Sequence, residues 1–299
     1  MGLQESWGPL LAWDLFLGGA GAGAYLIAVI ALWLGDPYRR LARPGVYVGP
    51  VLVALGALLL LIELGQPLRF WRGFLRPTSS VMSVGIILIS LFIALGFIHI
   101  LAPRLGIGER LQRWLGSLNA LFGLGIMVYT GLLLGASKGV PFWSTPLLPV
   151  LFLLSALLSG AATMVLLVVL LRGGQPKEVQ EAADRFVVSL SPIVTALVVM
   201  ELIALFSLLF LVTGSRTSTV ESVQFLLAGG FAVAFWLGVV LIGLLAPLVL
   251  AFWVVARRGK MATDQAVSFS FLIATLLLVG GIVLRYAVVA AGAKLPPTL

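Results

Sequence analysis

The chain has no cysteine and a single histidine, His99. The first absence excludes disulfides, thiolate-bound metals and iron–sulfur clusters carried by this polypeptide. The second argues against a b-type haem held between two axial histidines in a helical bundle. Charge is scarce as well: 10% of the 299 residues are Asp, Glu, Lys or Arg, while 61% are hydrophobic. That balance lies far outside the range of soluble globular domains. The N-terminal stretch MGLQESWGPLLAW has no Lys or Arg ahead of its apolar run, unlike a cleaved signal peptide.

What is present is a series of hydrocarbon runs of about 20 residues, the length a bilayer-spanning helix requires. Eight spans are expected, at 12–34, 46–64, 81–102, 114–136, 147–171, 186–213, 223–254 and 264–292. The chain therefore reads as an all-α polytopic membrane protein, a single integral-membrane domain over 1–299. The last two runs are long enough to demand tilt or a kink, and Pro247 is a natural kink site. Asp36-Pro37, Pro44-Gly45, Pro77-Thr78, Pro141 and Gly173-Gly174 mark connections.

The net charge of +8 does not signal nucleic-acid binding, because the cations sort by loop. The odd-numbered loops hold Arg39, Arg40, Arg43, Arg104, Arg110, Arg113, Arg172, Lys177, Arg185, Arg257, Arg258 and Lys260. The fourth and sixth hold only Lys138 and Arg216, and the tail holds Lys294. The positive-inside rule then puts odd loops in the cytoplasm and both termini on the outer side of the inner membrane. The second loop breaks the rule. Its segment ELGQPLRFWRGFLR (63–76) sets Glu63 beside Arg69, Arg72 and Arg76, interleaved with Phe70, Trp71 and Phe74. Ionisable groups at membrane depth are candidate functional sites.

Counting about 1.5 Å per helical residue brings several such groups to one leaflet. Asp14 opens the first span near the outer surface, Glu63 closes the second, and Tyr129 lies roughly 10 Å below the outer end of the fourth. Asp14 reads either as a helix N-cap or as a ligand contact. Glu63 reads as a proton carrier or as half of a buried salt bridge, and Tyr129 as a belt aromatic or a buried hydroxyl. His99, near the cytoplasmic end of the third span, reads as an interfacial structural residue. Glu201 lies mid-membrane and either pairs with Arg285 or belongs to a proton path. Gly19 and Gly23 form a GxxxG pair suited to close helix packing, or to close approach of a flat ligand.

An acid, a phenol and arginines at one membrane face, without haem or metal, suit the interconversion of a quinone and its quinol. The two ring oxygens need hydrogen-bond donors, and each two-electron step moves two protons that a carboxylate can relay. Trp13, Phe16 and Trp71 are candidates for an aromatic slot. The electrons must pass to or from a cofactor on another subunit, for which the basic second loop offers a docking surface.

The motifs resemble those of the NrfD/PsrC-type family, the membrane anchors of polysulfide, dimethyl sulfoxide and related molybdopterin reductases. The blocks that carry the likeness are the glycine-rich opening 13–23, LGQPLRFW (64–71) with RPTSSVMSVG (76–85), the block 129–162, and GGIVLRY (280–286). The resemblance implies two four-helix bundles and a quinone site at the outer face. It also implies an iron–sulfur partner with four [4Fe–4S] clusters, docked near Arg69, Arg72 and Arg76, and a molybdopterin catalytic subunit beyond it. By motif position Glu63 and Tyr129 fall on quinone-site residues, whereas Asp14 falls near a histidine of such members and departs from their pattern. The reading is a quinone-reactive membrane anchor in anaerobic respiration, with terminal-substrate catalysis on another subunit and membrane lipid around it. Menaquinone or another quinone would contact Asp14, Glu63, Arg69, Trp71, Tyr129 and Lys138, with Glu63, Tyr129 and Asp14 handling protons and ring oxygens. Two alternatives stand: the quinol-oxidising subunit of a haem-linked respiratory complex of the same family, and a secondary transporter using Glu201 and Arg285.

Overall fold

A computed structural model describes residues 8–63, 74, 80–137, 139–213, 217–257 and 260–292. Arg69, Trp71, Arg72, Arg76 and Lys138, to which the sequence assigns quinone and partner contacts, lie outside the described residues. The elements are α1 (Pro9–Trp33), α2 (Tyr38–Glu63), α3 (Val81–Leu101), α4 (Glu109–Gly135), α5 (Leu147–Leu171) and α6 (Lys177–Thr213). A short α7 (Thr217–Leu227), then α8 (Ala234–Ala256) and α9 (Thr263–Ala290), complete the fold. All but α7 are long and apolar enough to cross a membrane, eight spans in all among the described residues. In hydrocarbon a helix is favoured because it satisfies every backbone N–H and C=O within the segment. The protein is a multi-pass, all-α membrane protein.

Three spans depart most from the boundaries expected of them. The second begins at Tyr38, so Pro44 lies inside α2 rather than in a connection. The helical bond Pro44 cannot make would end on the carbonyl of Arg40, an exposed residue where water can replace it. The sixth span starts at Lys177, because its polar first turns are tied down by an ion pair between Arg172 and Asp184. The expected seventh span, 223–254, divides into α7, a turn over Gly229 and Gly230, and α8. Pro247 does perturb the helix, but through a wider winding. Ala234–Leu245 is π-helical and ordinary α geometry resumes at Ala246, with the Ala246 N–H donating to the carbonyl of Leu241. A looser turn relieves the clash a proline ring makes with the carbonyl four residues earlier.

The spans pack as two groups of four, α1–α4 and α5, α6, α8 and α9, joined mainly where α1 lies against α5. Gly23 and Gly160 make that joint possible: a methyl on Gly23 would stand 2.6 Å from the carbonyl oxygen of Ala156 and 2.9 Å from Cα of Gly160. The glycines of the opening helix therefore serve backbone-to-backbone packing. The same closeness makes α1 the hub, with 72% of its apolar stretch buried against 22% in α3. On α2, Tyr47, Val51, Leu55, Leu58 and Ile62 form an exposed apolar stripe at helical spacing, a lipid-facing surface rather than a defect.

Candidate functional site

α1 carries Asp14 as its sixth residue, well past the N-cap position, which Gly8 occupies. The N-cap reading of Asp14 therefore does not hold. Its side chain is buried at 6% exposure and faces α2, where a methyl added to Gly56 would stand 3.1 Å from Asp14 Oδ1. Glu63, the last residue of α2, bends back toward the start of α1, and its Oε1 accepts a hydrogen bond from the backbone N–H of Gly8. The other oxygen, Oε2, is buried and has no hydrogen-bond partner among the described residues. Tyr129 descends from α4 and is buried at 4% exposure, so it is no belt aromatic. Its ring fills the space that a side chain at Gly85 of α3 would occupy. Asp14 and Glu63 feel one another's charge, and Asp14 contributes to the field at Tyr129. Three helices, α1, α2 and α4, thus bring an acid pair and a phenol to one end of the first group, and Gly85 of α3 leaves room for the phenol.

The aromatic slot expected around this cluster is arranged differently. Trp13 is 45% exposed and meets Phe16 edge-on with ring centres 6.1 Å apart. Phe16 turns away from Asp14 and sits under the guanidinium of Arg285, 5.5 Å from ring centre to Cζ. Residues i and i+2 on a helix point about 200° apart, so Asp14 and Phe16 cannot share a wall.

Arg285 anchors a second buried polar cluster. It is completely buried, and its Nε donates to the carbonyl of Leu15 at 3.0 Å. Its Nη1 donates to Ser155 Oγ and to the carbonyl of Gly281, each at 3.0 Å. Phe152 stacks on the guanidinium as well, 5.7 Å from ring centre to Cζ. Glu201 lies within electrostatic reach of Arg285 and close to Ser155. Among the described residues no direct ion pair joins Glu201 and Arg285; Ser155 stands between them. A small cavity of about 10 Å³ touches Glu201, Ser155 and Ser159, and π-helical Gly243 lines it from α8.

A third cluster lies toward the opposite face of the first group. Tyr25 and His99 share a 2.6 Å hydrogen bond between the phenol oxygen and Nδ1, with Asn119 fully buried beside them. His99 is buried rather than interfacial, at 4% exposure, and forms part of the wall of a cavity of about 330 Å³. Sequence reasoning missed Tyr25, Asn119 and Ser155. Asn119 did carry a signal, as a lone amide within the apolar run of α4. Tyr25 and Ser155 carried none, since either residue packs as readily against lipid or a neighbouring helix.

The fold and these clusters define a class: a helical integral-membrane protein with an acid–phenol site at one end of its first four-helix group. The chain belongs to the NrfD family. It matches the family described as "Polysulphide reductase, NrfD" over residues 1–297. It is 30% identical over 308 residues to the C component of polysulfide reductase from Wolinella succinogenes, an alignment spanning 96% of this protein and 94% of the relative. It is 33% identical over 316 residues to protein NrfD of Escherichia coli, spanning 94% of this protein and 95% of the relative. The C component of selenate reductase from Mesobacillus selenatarsenatis is 24% identical over 54% of this protein and 48% of its own length.

Proposed function

We propose that this protein is the quinone-reactive membrane anchor of a molybdopterin–iron–sulfur oxidoreductase, exchanging electrons between the quinone pool and an iron–sulfur subunit on the outer face. The observation that carries the reading is the buried, unpartnered Oε2 of Glu63 beside the buried carboxylate of Asp14. An orphaned buried acceptor in a native fold calls for an explanation, and a ligand hydroxyl is one that fits this donor set. The quinone supplies a two-electron, two-proton couple with hydrogen-bonding oxygens at either end of its ring.

The protein's own residues then have distinct tasks. Glu63 takes or gives the proton at Oε2, while the Gly8 N–H holds Oε1 and fixes the carboxylate's direction. Tyr129 and Asp14 hydrogen-bond the ring oxygens, and Gly85 leaves the room in which the phenol is aimed. Arg69 sets the local field and, with Arg72 and Arg76, faces the iron–sulfur partner; Trp71 and Lys138 complete the binding residues. The loop charges support an inner-membrane protein with both termini outside. The names of two relatives, components of polysulfide reductase and selenate reductase, support a catalytic partner that holds the terminal substrate's site.

Replacing Glu63 with Gln keeps the Oε1 contact and shape but removes the titratable proton. The complex should assemble, and quinol-linked turnover should fall about a hundredfold or more. Unchanged turnover in an assembled variant would remove Glu63 from the mechanism. Identification by mass of the subunits that copurify under mild conditions tests the partners.

A further inference from the structure

The first loop and the opening turns of α2 line a cavity of about 680 Å³, walled by three arginines, Arg39, Arg40 and Arg43, one carboxylate, Asp36, and the apolar faces of Tyr47 and Leu171 among others. This volume falls in the range of ligand sites. The neighbouring charges divide sharply. Arg39 pairs with Glu109 and lies 3.8 Å from Asp36, and Arg172 pairs with Asp184 and lies 3.8 Å from Asp264. Arg40 and Arg43 have no such partner among the described residues, although both line the cavity. Two guanidiniums are thus left free at a membrane surface where their neighbours are neutralised.

The hydrocarbon side of the cavity matches them. Helical spacing places Arg39, Arg43 and Tyr47 on one ridge of α2, and Arg40, Pro44 and Val48 on the adjacent ridge. Each ridge runs from cation to apolar side chain as it enters the bilayer. The first continues into Val51 and Leu55, both exposed. Exposed Leu171, from the end of α5, forms the opposite wall. A ligand fitting this surface has an anionic head at the level of the arginines and hydrocarbon directly below it. Guanidinium forks bind phosphate oxygens bidentately, and basic pockets between transmembrane helices hold anionic headgroups.

We propose that this cavity binds the phosphate of an anionic membrane phospholipid through Arg40 and Arg43, with its acyl chains on the Tyr47–Val51–Leu55 face of α2. The site lies away from the acid–phenol cluster and does not depend on the quinone reading. A free inorganic phosphate shares the head chemistry but leaves the apolar wall unused.

Native mass spectrometry of the intact, mildly delipidated complex, titrated with phosphatidylglycerol or phosphatidylcholine, tests the proposal. R40Q/R43Q should weaken phosphatidylglycerol binding about thirtyfold, and R43Q alone about fivefold, with a smaller loss for phosphatidylcholine, whose phosphate is offset by its own ammonium. R43Q keeps the test available if the double variant fails to accumulate. R104Q/R110Q removes two cations from the third loop, whose Glu109 meets Arg39 of the first, without touching the cavity. That control should bind as the parent does. Equal binding by R40Q/R43Q and the parent would overturn the site. So would an equal loss in the control, which would assign binding to diffuse surface charge, or displacement by millimolar inorganic phosphate, which would assign it to a soluble anion.

Discussion

The acid–phenol cluster and the Arg285 cluster are neighbours: Arg285 holds the carbonyl of Leu15, the residue after Asp14. Their internal accounts differ in degree, since Arg285 Nη2 is also buried without a partner among the described residues. Arg285 directs three hydrogen bonds to fixed acceptors contributed by α1, α5 and α9 and is stacked by two phenyl rings. Glu63 uses one oxygen for the backbone of Gly8 and leaves the other buried without a partner among the described residues. Buried polar groups that are nearly satisfied within the protein fix helices in place. Buried groups left partly unsatisfied are available to something else. The comparison separates a residue that holds α1 from residues that α1 presents.

The largest effect should come from breaking the better-satisfied cluster, in which Arg285 makes three hydrogen bonds. Arg285→Met removes the cation that joins Ser155, the Leu15 carbonyl and Gly281, and leaves Glu201 without a compensating charge, at a cost of about 3 kcal/mol or more. Membranes should contain much less folded protein, and thermal unfolding of what remains should shift down by many degrees. Adding Glu201→Gln removes the uncompensated acid and should recover part of the loss. A variant that folded normally by itself would show that the cluster is not what anchors α1.

The unsatisfied cluster should respond in the reverse sense. Asp14→Asn conserves volume and hydrogen bonding while deleting the carboxyl group that faces Glu63 and contributes to the field at Tyr129. We expect assembly to persist, with quinol-linked turnover reduced at least tenfold, measured on the intact complex with a soluble quinol analogue. If Asp14→Asn instead lost folded protein as Arg285→Met does, the two clusters would be one structural unit.

This contrast explains what the sequence could reveal. Hydrocarbon runs are long and continuous, so the existence of eight spans is legible from composition. Glu63 and Asp14 stand out because a carboxylate in such a run is rare, and depth counting brings them to one face. Partnership is not legible. Arg285 finds Leu15 and Ser155 across 270 and 130 positions of sequence, and no local pattern encodes a bond to a carbonyl oxygen. The apolar slot failed for a related reason: Phe16 looks equivalent to Trp13 until the Arg285 side chain is known to occupy its face. The Gly229–Gly230 break was visible in the residues, but the apolar run on either side outweighed it.

Gly85→Ala sharpens the comparison by a smaller amount. A methyl there overlaps the ring of Tyr129, so the ring must shift or α3 must move. Overpacking of this kind costs about 1–3 kcal/mol. Because α3 is the most lipid-exposed span of its group, it should yield, and the melting temperature should fall only modestly. The phenol is the aimed group, so turnover should fall further than stability does. Equal loss of both would mean that Gly85 serves packing alone.

The smallest effect should come from the inner trio. Tyr25→Phe keeps the ring against Phe92, whose centre lies 5.2 Å away, and removes only the hydroxyl bonded to His99 Nδ1. One hydrogen bond of this type is worth about 1 kcal/mol. Tyr25 lies eleven residues after Asp14 on α1, about 16 Å along the axis. Fully buried Phe92 packs between it and Gly123 of α4. A local loss at that distance should lower the unfolding temperature slightly and leave quinol-linked turnover at the parent's rate. If turnover instead fell with stability intact, Tyr25 and His99 would belong with Glu63 among the groups that α1 and its neighbours present, and the division drawn from satisfied and unsatisfied partners would have to be redrawn along the whole length of α1.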